Sequence, residues 1–292
     1  MTVSTSLTEV TVVGIGAIGL PMAVRLARAG HRVTAVDPSC HQRELARAEG
    51  ITTARSVGAV SPSATVIVMV ATPEQLTSAL TGGDGLFTRM RPGSVCIVMS
   101  TVGPTVVTAL AGQAHACGIA LIDAPVTGGI PRAEQGALTI FAAGPHDLIA
   151  ESSPVFEAMG TVHRCGERPG DGQSYKLINQ LLCSVHLVAA AEALAFAEHL
   201  GLDPHDVHRA VGGGAGSSWM LLDRGPRMLT DHDSETRTAL DIFVKDSDLV
   251  RSAAAHSGFD LPLLDVANTA FHRAADLGLG RHDDSRIKDA YR

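Results

Sequence analysis

Residues 10–30, VTVVGIGAIGLPMAVRLARAG, run from a β-branched strand pattern through Gly14, Gly16 and Gly19 into an amphipathic helical pattern. A GxGxxG spacing in that setting limits what the chain can fold into more than any other feature it carries. Gly14 permits the tight turn out of the strand, Gly16 lets the backbone approach a pyrophosphate, and Gly19 allows close packing of helix on strand. The unpaired amides of the helix N-terminus then face the phosphates. The next strand pattern ends at Asp37, at the separation expected for the carboxylate that binds an adenosine ribose. Taken singly, the glycines could form a plain βα turn and Asp37 could simply open the Asp37-Pro38-Ser39 turn. Taken together they predict a dinucleotide site made by Gly14, Ile15, Gly16, Ala17, Ile18, Gly19 and Asp37. NAD is the expected cofactor, because the Asp37 carboxylate would repel the extra phosphate of NADP. A methyltransferase also uses a Gly-rich first loop and an acid after its second strand, but the rest of the chain argues against one.

Short β-branched runs at 10–13, 32–36, 65–70, 95–99 and 120–122 alternate with helical patterns, which predicts a parallel sheet with crossover helices. Runs at 138–142 and 161–163 extend its edge. After the Gly-rich turn at 167–172 the strand patterns stop and helical periodicity continues to the C-terminus. The expected fold is an α/β Rossmann dinucleotide-binding domain over residues 1–168, followed by an all-α C-terminal domain over residues 169–292. Residues 212–216, rich in glycine, read as a turn.

The chain carries 23 Lys+Arg against 30 Asp+Glu, a formal charge of −7, with no basic run to track a phosphate backbone, so nucleic acid is not an expected partner. Its five cysteines, Cys40, Cys96, Cys117, Cys165 and Cys183, are odd in number, form no CxxC pair and mostly sit in apolar contexts, which predicts reduced, buried thiols and a cytoplasmic location. Residues 1–9 show neither the basic start nor the apolar run of a secretory signal. Residues 177–197 are apolar enough to invite a membrane reading, but Asn179, Gln180, His186 and Glu192 would each be costly in lipid. A buried central helix, and no membrane partner, is the expectation. His205 and His208 stand three apart and His115 lies near Cys117, yet no third or fourth ligand falls at zinc-site spacing, so no metal is expected.

Three further segments resemble the β-hydroxyacid dehydrogenases, the family of 3-hydroxyisobutyrate dehydrogenase and tartronate semialdehyde reductase. They are Asp123-Ala-Pro-Val-Thr-Gly-Gly129, followed by Ala133 and by Gly136 to Thr139; Gly170-Asp-Gly-Gln-Ser-Tyr-Lys176-Leu-Ile-Asn-Gln180; and Asp241-Ile-Phe-Val-Lys-Asp246. With the glycine fingerprint they span nearly the whole chain in the family's order. Within the family the chain is similar to the L-threonate dehydrogenase group, through Gln180-Leu-Leu, Val185-His186, Ala189-Ala-Ala-Glu-Ala193, Ser218-Trp-Met220 and the tail Asp283-Asp-Ser285.

Oxidising an alcohol with NAD requires a group to take the hydroxyl proton while the hydride leaves. Lys176 is the candidate: apolar burial beside Leu177 and Ile178, or a nearby charge, would bring a lysine toward neutrality, and Asn179 and Gln180 share its helix face. The resemblance assigns proton transfer to Lys176 and substrate hydrogen bonding to the position of Gln180. Thr127, Gly128 and Gly129 read as a carboxylate cradle of two exposed backbone amides and a hydroxyl. Val70, Ala71, Thr72 and Thr101 follow strand patterns at the sheet's carboxyl edge, where open α/β folds bind ligands. The resemblance places the counterpart of Thr101 at the nicotinamide side and that of Lys245 on the cofactor.

The family usually has Met at the position of Ile18, Ser at that of Thr127 and often Asn at that of Gln180. Gln180, one methylene longer, shifts its amide within the pocket, so the departures bear on substrate shape; the L-threonate group shares this glutamine. The expected activity is NAD-dependent oxidation of a small hydroxy acid, such as the four-carbon L-threonate at C2. Oxidation of 3-hydroxyisobutyrate or reduction of a semialdehyde is the alternative, and a non-catalytic dinucleotide sensor is the alternative of another class. Lys176 and Gln180 speak against a sensor, and Lys176 against the related imine reductases. Apolar helical faces and the family imply a homodimer or homotetramer.

Overall fold

The computed structural model describes residues 8–230 and 236–291; the first seven residues, within the stretch read above for a secretory signal, lie outside them. The chain divides into two compact units, Met1–Lys176 and Leu177–Arg292.

The first unit opens with β1 (Glu9–Val13), α1 (Gly19–Arg28), β2 (Arg32–Val36), α2 (Cys40–Ala48) and β3 (Thr52–Ala54). It continues through β4 (Thr65–Val68), α3 (Pro73–Thr81), α4 (Leu86–Arg89), β5 (Val95–Val98), α5 (Pro104–Ala116) and β6 (Ala120–Asp123). These strands stand in the order β3-β2-β1-β4-β5-β6, every neighbouring pair parallel. Successive side chains of a strand point to opposite faces, and here both faces are covered. Val10, Val12, Ile67 and Ile97 pack with Met22, Ala23 and Leu26 of α1 on one side. Val13, Val66, Val68 and Val98 pack with Leu76 and Leu80 of α3 and Val107 and Leu110 of α5 on the other. Burial on two faces is why these strands read as continuous β-branched runs rather than as alternation.

Past β6 the chain forms β7 (Val126–Thr127), α6 (Gly129–Gln135), β8 (Leu138–Ala143), α7 (His146–Glu151), α8 (Ser153–Met159) and β9 (Gly160–Gly166). The runs at 138–142 and 161–163 do extend the sheet, but β8 enters antiparallel to β6 and β7, and β9 lies parallel to β8. The sheet is thus mixed at the edge that these two runs extend. The connection from β6 to β8 holds only β7 and α6, which turns the chain back on itself instead of carrying it over the sheet.

α9 (Asp171–His199) begins in the first unit and continues into the second, which adds α10 (Pro204–Gly212), α11 (Trp219–Met228), α12 (Leu240–Ser257) and α13 (Pro262–Ala274). A π-helical turn at Ala275–Leu279 and a 3-10 helix at Asp284–Tyr291 follow. α9 is the one described helix long and apolar enough to cross a membrane by length and composition. Its buried stripe nevertheless carries Gln173, Lys176, Gln180 and Ser184 before it turns apolar at Leu187, Ala191 and Leu194. Those apolar residues join Met220, Phe243, Phe271 and Ile287 in the core of the helical unit, with the rings of Phe243 and Phe271 stacked at 5.3 Å.

The last helical turn is fastened to this core. Arg227 reaches Asp283 at 2.5 Å and Asp284 at 3.1 Å, Arg224 reaches Asp284 at 3.0 Å, and the buried Lys288 ammonium meets Glu198 at 2.5 Å. Burial pushes the Asp284 carboxyl up to about 6 against the pull of Arg224 and Arg227.

Candidate active site

β1, β2, β4 and β5 run parallel and end at one edge of the sheet, so the segments that follow them bring residues 14–19, Asp37, residues 70–72 and Thr101 to that edge. Gly14 has φ +86°, and a Cβ there would collide with the Met69 carbonyl. A Cβ on Gly19 would collide with the carbonyl oxygen of Gly14, whereas one on Gly16 would meet nothing within 4 Å. The turn and the helix packing therefore both exclude side chains, and the middle glycine leaves its backbone approachable. α1 starts without a side-chain cap, so no capping side chain takes up its first amides.

Asp37 is held between two backbone donors: Ile15 N–H donates to Oδ2 at 3.0 Å and Ser39 N–H to Oδ1 at 2.8 Å. That clamps the carboxylate beside the glycine turn. Arg43 donates to the carbonyl oxygen of Asp37 at 2.7 Å, so its guanidinium is engaged with backbone. The tight turn, the uncapped helix start and the oriented carboxylate fit a nicotinamide dinucleotide.

Val70 N–H donates to the Ser100 hydroxyl at 2.8 Å, tying the segment after β4 to the end of β5. Thr72 caps α3 by accepting from Gln75 N–H at 3.2 Å, so its hydroxyl has a structural task as well as an edge position. Thr127 ends β7, and Gly128 and Gly129 follow with φ of +135° and +70°, conformations that favour glycine.

Lys176 is buried, 8% exposed, in the second turn of α9. Gln173, one turn earlier, is fully buried and uses all its hydrogen-bonding capacity. Its Oε1 accepts from Val102 N–H at 2.9 Å and Gly103 N–H at 3.0 Å, and its Nε2 donates to the Ser100 carbonyl at 3.0 Å and to Asp123 Oδ1 at 2.9 Å. Asp123 Oδ2 accepts from Gly170 N–H at 2.8 Å and Gln173 N–H at 2.9 Å. Burial raises the Asp123 carboxyl, and the hydrogen bonds from Gln173, Gly170 and Gly172 oppose it.

The helical unit joins the other site residues in one chain of contacts. Gln180 Nε2 donates to Asp246 Oδ2 at 2.5 Å, Asn179 Nδ2 donates to Gln180 Oε1 at 2.8 Å, and Lys245 Nζ lies 2.7 Å from Asp246 Oδ1. Sequence reasoning singled out Asn179, Gln180 and Lys245 but gave no task to Asp246, Asp123, Gln173 or Ser100. Three of those four lie inside or beside the quoted motifs, where a charged or amide residue invited the question; Ser100 carried no signal.

Among the described residues no group of three or more His, Cys, Asp or Glu could hold a metal ion. The five cysteines are free thiols, but only Cys96 is buried as the sequence suggested; Cys40 and Cys117 are exposed and Cys165 and Cys183 half-buried, because each stands at a helix end, a strand edge or a helix flank rather than in a core strand.

The six parallel strands β1 to β6 with this turn and carboxylate make the dinucleotide-binding fold of a nicotinamide-dependent oxidoreductase, and α9 carries a buried lysine able to exchange a proton. Two family models account for the chain, the NAD binding domain of 6-phosphogluconate dehydrogenase over residues 9–167 and the NAD-binding domain of NADP-dependent 3-hydroxyisobutyrate dehydrogenase over residues 170–291. The chain belongs to the β-hydroxyacid dehydrogenase family, and is an NAD-dependent hydroxyacid dehydrogenase. It is 38% identical to L-threonate dehydrogenase of Cupriavidus necator over 96% of this chain and 94% of that one. It is 31% identical to 2-hydroxy-3-oxopropionate reductase of Escherichia coli over 95% of each. The crystal structure of 3-hydroxyisobutyrate dehydrogenase from Salmonella typhimurium superposes with a TM-score of 0.89 at 34% identity, covering 97% of this chain and 99% of that one.

Proposed function

We propose that the protein oxidises a four-carbon sugar acid such as L-threonate at C2, with NAD preferred over NADP and Lys176 as the general acid/base. The observation that carries this reading is the buried polar stripe of α9, in which Lys176 precedes a glutamine whose amide is fixed at both ends. Nicotinamide, when bound, supplies the hydride acceptor. In the dehydrogenation Lys176 Nζ takes the hydroxyl proton, Gln180 and Asn179 address the substrate hydroxyls, and Thr127, Gly128 and Gly129 bind the carboxylate. Residues 14–19, Asp37, residues 70–72, Thr101 and Lys245 bind the dinucleotide. Residues 1–168 serve as the nucleotide-binding domain and 169–292 as the substrate and dimerisation domain. The reading includes a soluble, cytoplasmic homodimer or homotetramer without nucleic-acid or membrane partners. The similarity to L-threonate dehydrogenase supports the substrate, and the apolar residues exposed on the helical unit support the assembly.

The solved 3-hydroxyisobutyrate dehydrogenase with a TM-score of 0.89 favours a second reading, a three- or four-carbon acid with a methyl in place of a hydroxyl. A panel of three- to six-carbon hydroxy acids, assayed with NAD and NADP by nicotinamide absorbance, separates the two. It should include the methyl ester of the best acid. The ester should lose at least about tenfold in kcat/KM, since charge-assisted hydrogen bonds contribute roughly 1.5–3 kcal/mol. An ester that reacts as well as its acid removes the carboxylate cradle.

A further inference from the structure

Gln173 joins three parts of the first unit that the sequence keeps far apart. It receives the amides of Val102 and Gly103 after β5, donates to Ser100 at the end of β5, and donates to Asp123 at the end of β6, all from the first turn of α9. Asp123 answers by accepting the amides of Gly170 and Gln173, acting as the cap of α9 from a distant strand. The approach is close: a Cβ on Gly172 would stand 3.0 Å from Asp123 Oδ2, and Gly170 holds φ +106°. Gln173, Asp123 and Ser100 are each fully buried, so any lost hydrogen bond goes without replacement by water.

Two residues of the proposed site hang on this node. Thr101 lies between Ser100 and Val102, both of which bond Gln173, and Lys176 follows Gln173 by one turn on the same helix face. We infer that Gln173, seated on Asp123, is a positioning residue that sets Lys176 and Thr101 in reactive register, an inference resting on the role proposed for Lys176. The side chain need not touch substrate. It converts the meeting of a strand end and a helix start into a fixed distance, and displacements near 1 Å cost about 10²-fold in such reactions.

The test exploits the Gln173–Asp123 contact of 2.9 Å. In Gln173→Glu the two carboxyls cannot both ionise comfortably at that separation and share one proton at low pH. The introduced carboxyl, while protonated, donates to Asp123, and its other oxygen accepts from Val102 and Gly103; the donation to the Ser100 carbonyl is lost at every pH. As pH rises the proton leaves, and the node repels itself. Cys165 is the titratable group coupled to Asp123; burial, Asp123 and Asp171 push its thiol up to about 12, so it stays neutral throughout.

The ratio of kcat in Gln173→Glu to wild type should be highest near pH ~5.5 and fall at least about tenfold from there by pH ~8.5. The KM for the hydroxy acid and the NADH dissociation constant, from fluorescence titration, should each change less than about threefold, with far-UV circular dichroism unchanged. Gln173→Met, which removes the node without adding charge, should lower kcat at every pH. A flat Gln173→Glu ratio near one, or a loss confined to NADH affinity, overturns the inference. Lys176→Ala measured alongside separates the two claims: if it is inactive and the Gln173→Glu ratio is flat, only the positioning role falls. If Lys176→Ala turns over normally, the reading beneath both falls.

Discussion

Gln180 gives its Nε2 to Asp246 at 2.5 Å, and takes a hydrogen bond on Oε1 from Asn179 at 2.8 Å. An amide held at both ends cannot flip, and keeps one N–H and one lone pair for a ligand. A hydroxyl satisfies both; a methyl leaves both unpaired. L-Threonate should therefore exceed 3-hydroxyisobutyrate in kcat/KM by at least about tenfold. Gln180→Leu should cost about tenfold or more with the former and much less with the latter. A preference for 3-hydroxyisobutyrate in the wild type would remove the four-carbon reading and leave the family intact.

Asp37 faces the nucleotide edge with both oxygens oriented by backbone amides. Catalytic efficiency with NAD should exceed that with NADP, and Asp37→Ala should narrow the gap by at least about tenfold through loss of ribose hydrogen bonds and of charge repulsion together. Equal or better efficiency with NADP in the unaltered enzyme would refute the assignment.

Lys176→Ala should lower turnover by roughly 10²- to 10⁴-fold, the usual cost of a lost general acid/base, while NADH binds nearly as before. Steady-state rates and NADH titration of the folded variant measure the two separately.

The ion pairs of the tail make a stability prediction with a definite sign. Burial pushes the Asp283 carboxyl up, but the Ser285 hydroxyl, Arg227 and the amides of Arg237 and Ser285 outweigh it and hold the group below its ordinary 3.8. A carboxyl depressed in the folded state stabilises above its unfolded pKa, and that stability is lost as pH falls through the folded value. The melting midpoint should drop as pH goes below about 4, less steeply in Asp283→Asn. At neutral pH, Asp283→Ala leaves Arg227 with Asp284 and Asp223 but strips the Arg237 and Ser285 amides of their acceptor, and should cost about 1–3 kcal/mol in urea denaturation.

Phe259, Leu263 and Val266 are 67%, 70% and 65% exposed around the start of α13, and Ile178 and Leu182 are 61% and 51% exposed on α9. Exposed apolar residues of that size are what the proposed assembly would cover. Sedimentation should give a dimer or tetramer at micromolar concentration, and Leu263→Glu with Val266→Asp should reduce it. A monomeric wild type would defeat the assembly reading.

The sequence made the nucleotide edge legible because its physics is local: three glycines, a helix start and an acid one strand later all lie within residues 14–37. β1, β2 and the end-of-strand positions followed from β-branched runs. β3 and β7, three and two residues long, fell below any alternation that periodicity can detect. The direction of β8 depended on tertiary pairing. Asp123 was visible only as the first letter of a loop motif, because its task depends on Gln173, fifty residues away in sequence and 2.9 Å away in space. Asp246 was hidden in the same way behind Lys245, since its partner Gln180 lies on another helix.

The 3-10 helix at Asp284–Tyr291 places Ile287 in the same core as Leu187 and Phe271, and Lys288 against Glu198. During synthesis, then, α9 through α13 emerge from the ribosome with one wall of their core still inside the exit tunnel. The helical unit can collect its helices early but reaches full cooperativity only after residues 283–290 are free. Until that moment Arg224 and Arg227 have Asp223 of their own helix but lack Asp283 and Asp284, so the last helical turn closes the unit by charge as well as by packing.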